Sequence, residues 1–186
     1  MSVPGPGAAR LLRHHPRQPD QRSCGAAVLV VAEALSNDAY AGWLADDAGV
    51  RFPAAVLAMH RRTTGPVDAA GRIQAPWTRL LGTPPWAVDR QLTARRARPH
   101  ASRLVLPWSR RRALAAIRTA AAHDAVPLYV GSVLPRHVVL VLDAGLTTYD
   151  PATGRTRTID PDEFVAARIG AVAWPVPWLY VSPAAR

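Results

Sequence analysis

The pattern of apolar and polar positions divides this chain in two. Helix-length runs and helical spacing dominate the first part, and short strand-length runs punctuated by Gly, Asp and Pro dominate the second. CGAAVLVVAEAL predicts a helix from Ser23 or Cys24 to about Leu35, with Ser36-Asn37-Asp38 as stop and cap. PAAVLAMHRRTTG predicts another from Pro53 to Gly65, with Pro at its start and Gly past its end. Pro76 through Leu81 and Pro84 through Arg98 read as shorter helical stretches broken by prolines, and Ser109 as the N-cap of an Ala/Arg-rich helix reaching about His123. Strands are expected at 126–132, 137–143, 146–150, 155–159, 171–176 and 178–182. A short helix opens at Asp160-Pro161-Asp162-Glu163, where carboxylates suit the positive end of the helix dipole.

These pieces give an α+β layout, an N-terminal helical half packed against a mostly antiparallel C-terminal sheet, with any site in the cleft between them. Residues 1–16, rich in Gly, Pro and Arg, read as a flexible lead-in to a single domain over 17–186. Trp77, Trp86 and Trp108 are read either as lining a hydrophobic cleft or as core. His60, with no acid or cysteine near it in sequence, is read as structural or surface.

Parity along one hairpin selects a pair of residues. In RHVVLVLDAGLTTYD, His137 opens one strand-like run and Asp150 closes the next, and Asp143-Ala144-Gly145 supplies turn residues between them. A two-residue loop pairs positions whose numbers have an odd sum, and 137 + 150 = 287 is odd. The two side chains therefore share a face as direct or diagonal cross-strand neighbours, roughly 5–8 Å apart at their β-carbons. That spacing suits a carboxylate that orients an imidazole. Asp150 also begins the turn Asp-Pro-Ala-Thr-Gly, which is a second reason for an aspartate there.

Cys24 is the only cysteine. It sits between a polar, Pro-containing loop and an apolar helix, where the free N–H groups and dipole of a helix N-terminus favour a thiolate. A lone cysteine is also a common small apolar core residue. Thiol, imidazole and same-face carboxylate together match the nucleophile, base and orienter of a cysteine hydrolase. Gln18, six residues before Cys24, carries an amide able to stand beside the Cys24 N–H as an oxyanion donor.

Gln18, Cys24-Gly25, the alanine-rich helix that follows, His137 at the head of an aliphatic strand and Asp150-Pro151 resemble the papain-like cysteine peptidases of the bacteriocin-processing, double-glycine-leader type and their stand-alone relatives. The resemblance covers about residues 16–36 and 109–165. It implies a papain-like fold, with Cys24, His137 and Asp150 as catalytic residues and with Gln18 and the Cys24 N–H as the oxyanion hole. Ser23 stands where the family often has an acid, and the transmembrane and ATP-binding domains of its exporter-fused members have no counterpart here. Residues 37–108 match no motif and are expected to build the substrate-facing side.

Composition bounds the alternatives. The formal charge is +10, and all 23 basic residues are arginine. Arginine-only usage beside heavy Ala and Pro points to a compositional bias, so the clusters Arg95-Arg96-Ala97-Arg98, Arg110-Arg111-Arg112 and Arg61-Arg62 read first as solvated faces and only second as a route to nucleic acid. No ligand-spaced His/Cys cluster suggests a metal, and no cofactor is implied. No secretory signal or membrane-length apolar run is recognised, so a cytoplasmic protein without a membrane span is expected. The expected partner is a peptide or protein substrate, cleaved through an acyl-thioester on Cys24. Transamidation, deamidation or acyl transfer by the same triad stays open, as does a non-catalytic papain-like module that binds an anionic or protein partner.

Overall fold

In the computed structural model the described residues are 4–96 and 98–184. The expectations for residues 1–3, for Ala97 in the arginine cluster and for residues 185–186 lie outside them.

The architecture is α+β. Among the described residues seven α-helices surround one six-stranded antiparallel sheet of order β1-β6-β2-β3-β4-β5. The strands are β1 His100–Leu104, β2 Val126–Gly131, β3 Pro135–Val141, β4 Thr147–Asp150, β5 Arg155–Thr158 and β6 Val176–Pro183. The helices are α1 Pro6–Arg13, α2 Cys24–Ser36, α3 Asp38–Asp46, α4 Ala48–Thr64, α5 Pro85–Arg96, α6 Arg110–Ala121 and α7 Pro161–Ala166. Among the described residues no helix is long and apolar enough to cross a membrane.

Helices cover both faces of the sheet. Val138 and Leu140 of β3, with Tyr129, Leu179 and Val181, join the core of α2 and its neighbours, whereas Val139 and Val141, with Leu128 and Tyr180, pack with Ile117 of α6 and Phe164 of α7. Burial on both faces explains why β3 reads as a continuous apolar run and not as an alternation. The same logic holds for α2, which is buried at every position from Cys24 to Ala34 except Glu33. It is the central helix, apolar on all sides.

The expected flexible lead-in is instead a helix over much of its length. Pro6 suits the first turn, Ala8 and Leu11 are buried, Gly7 N–H donates to Asp38 Oδ1 at 2.8 Å, and Arg10 pairs with Asp46. Only two buried apolar positions mark this helix, too few to stand out among Gly, Pro and Arg.

Other boundaries also move. The helix expected from Pro53 begins at Ala48 and carries Pro53 inside it, and the Pro76–Leu81 stretch narrows to a single 3-10 turn at Arg79–Leu81. The helix from Pro85 ends at Arg96, not Arg98. Ser109 makes no side-chain cap for α6; its hydroxyl accepts from Leu106 N–H at 3.0 Å. The two strands expected at 171–176 and 178–182 are one strand, β6, and 171–175 lies outside it. Pro177 brings no N–H to that strand, and the β2–β6 register slips beside it, between Tyr129 and Val130.

Candidate active site

The start of α2, the start of β3 and the turn after β4 converge on one cleft of about 560 Å³, lined among others by Gln18, Cys24, Thr83, Tyr129, His137 and Trp174. All three residues of the expected triad are buried, with Cys24 5 % exposed, His137 6 % and Asp150 5 %.

Asp20 shapes the approach to Cys24. Its Oδ1 accepts from the N–H groups of Arg22 (2.8 Å) and Ser23 (2.9 Å), turning the chain into the helix. Ser23 O then accepts the first helical bond, from Ala27 N–H. The N–H of Cys24, at the first helical position, belongs to the group that has no partner within the helix. Gly25 allows a close approach from outside: a β-carbon there would stand 2.7 Å from Thr83 Cβ.

The hairpin has the expected parity. Leu140 pairs with Tyr149 and Val141 with Thr148, a register that places Asp150 opposite Val139 and makes His137 its diagonal neighbour. His137 Nε2 lies 2.7 Å from Asp150 Oδ1. Asp150 also accepts from Ala152 N–H at 2.9 Å, so the Asp-Pro turn and the imidazole share one carboxyl oxygen. With Nε2 engaged, Nδ1 is the ring nitrogen left for Cys24.

Electrostatics follow from this packing. Burial alone would lower the His137 pKa, but the hydrogen bond to Asp150 and the neighbouring Cys24 thiol, which lines the same cleft, outweigh it and raise the pKa from the ordinary 6.5 to about 9. Asp150 is pushed up by burial and brought below the ordinary 3.8 by the His137 and Ala152 hydrogen bonds. Both directions describe an imidazole held by a carboxylate.

Gln18 is tied to the same turn, its N–H donating to Pro151 O at 2.9 Å. Its Nε2 donates to Asp20 O at 2.6 Å, and its Oε1 is buried without a partner among the described residues. A carboxamide nitrogen carries two hydrogens, so this bond leaves one to spare. Two further straps hold the segment: Tyr149 OH donates to Pro16 O (2.6 Å) and Arg17 Nε to Thr153 O (2.9 Å).

Tyr129, Thr83 and Trp174 reach the cleft without any signal in the sequence reading. Tyr129 OH donates to Thr83 O at 3.0 Å, fixing the loop that presses on Gly25. Of residues 37–108, expected to build the substrate-facing side, Leu80 through Thr83 line this cleft. Trp77 and Trp86 instead pack edge to face, 5.0 Å between centroids, and Trp108 is 82 % exposed, so these three do not form the cleft wall. His60 is buried near Gly82 and Asp20, behind the cleft lining, and burial lowers its pKa.

Comparison with protein-family models, with curated proteins and with solved structures gives no match for this chain.

Proposed function

We propose that the protein is a papain-like thiol hydrolase, a cysteine peptidase that cleaves a peptide or amide bond. The observation that carries this reading is the buried His137–Asp150 pair at 2.7 Å beside the thiol at the head of α2. A helix bearing the thiol, abutting an antiparallel sheet that bears the imidazole and then the acid, supports the papain-like architecture.

In the proposed reaction His137 takes the Cys24 proton, and its raised proton affinity drives that transfer. The sulfur attacks the carbonyl carbon. The oxyanion that forms is held by the Cys24 N–H and the spare hydrogen of Gln18 Nε2, each donor being worth about 3 kcal/mol in such sites. His137 returns the proton to the leaving amine, giving a thioester on Cys24. Water, activated by the same imidazole, then releases the acid. Asp150 fixes the ring so that Nδ1 faces sulfur throughout.

Incubation with a peptide library followed by mass spectrometry tests the reading. Cleavage that disappears in Cys24→Ala is the expected result. A mass change without cleavage assigns the same triad to acyl transfer, transamidation or deamidation. No Cys24-dependent product at all removes the enzyme reading and leaves a binding module.

A further inference from the structure

A second concavity of about 660 Å³ shares no lining residue with the Cys24 cleft. It lies between α6 and the β1–β6 edge of the sheet. Arg103 and Tyr180 are cross-strand partners and line it together from the sheet side, while Arg112 lines it from α6. Arg98 and His123 also line it.

The charge in this groove is one-sided. No Asp or Glu lines it among the described residues. Asp124, the nearby carboxylate, is engaged by Arg96 at 2.9 Å and stands 3.9 Å from Arg98. Among the described residues the guanidinium of neither Arg103 nor Arg112 has an ion-pair or hydrogen-bond partner, although those of Arg10, Arg51, Arg72, Arg90, Arg95 and Arg96 all do. Both free guanidiniums act on the Tyr180 hydroxyl, whose pKa burial raises and the two cations pull back. Cations brought together from separate elements repel one another, and an anion between them relieves that cost.

The remaining lining mixes apolar residues, Leu104, Pro183 and the alanines of α6, with the hydroxyls of Ser109, Thr119 and Ser182. Ala113, Ala116 and Ala120 present the small-residue side of α6, and the volume lies in the range of small-molecule sites. Planar guanidiniums match the oxygens of a phosphate in forked pairs.

We propose that this groove binds a small phosphorylated ligand, a phosphate ester on a partly apolar body, with its oxyanion clamped between Arg103 and Arg112 and its body on the alanine side of α6. This site is independent of the thiol chemistry and stands or falls separately from it.

The full-length protein titrated calorimetrically with ADP, with inorganic pyrophosphate and with a single-stranded oligonucleotide tests the proposal. Saturable ADP binding is expected, weakened about tenfold or more by Arg103→Ala and by Arg112→Ala, and unchanged by Arg157→Ala, which removes an exposed arginine at the opposite sheet edge. Ala116→Trp fills the groove without touching a charge and is expected to abolish ADP binding while sparing pyrophosphate. Melting temperatures of the variants verify that each is folded. No ADP binding at millimolar concentration, pyrophosphate binding as tight as ADP, or equal losses in Arg103→Ala and Arg157→Ala overturns the proposal. Oligonucleotide binding that outcompetes ADP overturns it in favour of a nucleic-acid surface.

Discussion

His137 and Asp150, diagonal neighbours across the β3–β4 hairpin, meet at 2.7 Å with both side chains almost wholly withdrawn from solvent. The carboxylate raises the proton affinity of the imidazole and the imidazole lowers that of the carboxylate, and this has consequences for the reaction and for stability.

Removing the base and removing its orienter should separate. His137→Ala eliminates the proton acceptor and is expected to lower kcat/KM by on the order of 10³ or more, whereas Asp150→Asn keeps the shape but disturbs the ring tautomer and is expected to cost on the order of 10²–10⁴. Steady-state kinetics on a peptide found in the library screen read this. Wild-type rates in either variant would exclude the pair from the reaction.

The His137 pKa near 9 sets a pH signature. Because the folded-state value lies above the ordinary 6.5, the stability this group contributes is fully present below about pH 6.5 and is lost as pH rises through about 9. Asp150 is shifted the other way: its contribution is present above its ordinary 3.8 and is lost as pH falls through its lowered value. Thermal melts from pH 6 to 10 should therefore fall on the alkaline side in wild type and less in His137→Ala. The proton that His137 returns to the leaving amine also disappears on that limb, so activity should decline there as well.

Gly154 should prove structural. Its φ is +70°, and a β-carbon there would run into the His15 carbonyl, the point at which the segment preceding Gln18 lies against the Asp-Pro turn. Gly154→Ala is expected to cost at least about 1 kcal/mol, seen as a lower melting temperature and a reduced kcat, since Gln18 depends on the same strap. An unchanged melting temperature would show that the strap yields freely.

Tyr129→Phe removes the hydroxyl that holds Thr83 O and nothing else. A loss of about 1 kcal/mol in stability is expected, with KM rising more than kcat falls, because the loop so fixed borders the cleft and not the reacting atoms. Urea denaturation and steady-state kinetics check both halves of this expectation.

The residues of the site were more legible in the sequence than the frame that holds them. Cys24, His137 and Asp150 stand at the ends of strongly apolar segments, where a continuous helix and a hairpin of defined parity leave little choice of position. Gln18 was reached only through its spacing from Cys24; its bond to Pro151 O depends on a turn more than a hundred residues away. β1 was missed because HASRL is exposed over most of its length and lacks alternation, and its pairing with β6 is a tertiary event. α3 was missed because DAYAGWLAD is short, and it is capped by the Asn37 side chain, which accepts from Tyr40 N–H. Tyr129 read as one more residue of a buried strand, and only the folded chain brings its hydroxyl to Thr83.

Contact between thiol and imidazole is the claim on which the rest depends, and the rate at which iodoacetamide alkylates Cys24 at pH 6 tests it most directly. The account predicts rapid alkylation in the wild type that slows by about tenfold or more in His137→Ala, because the imidazole receives the sulfur's proton. Slow alkylation at the same rate in both proteins would contradict it and make Cys24 an ordinary buried side chain.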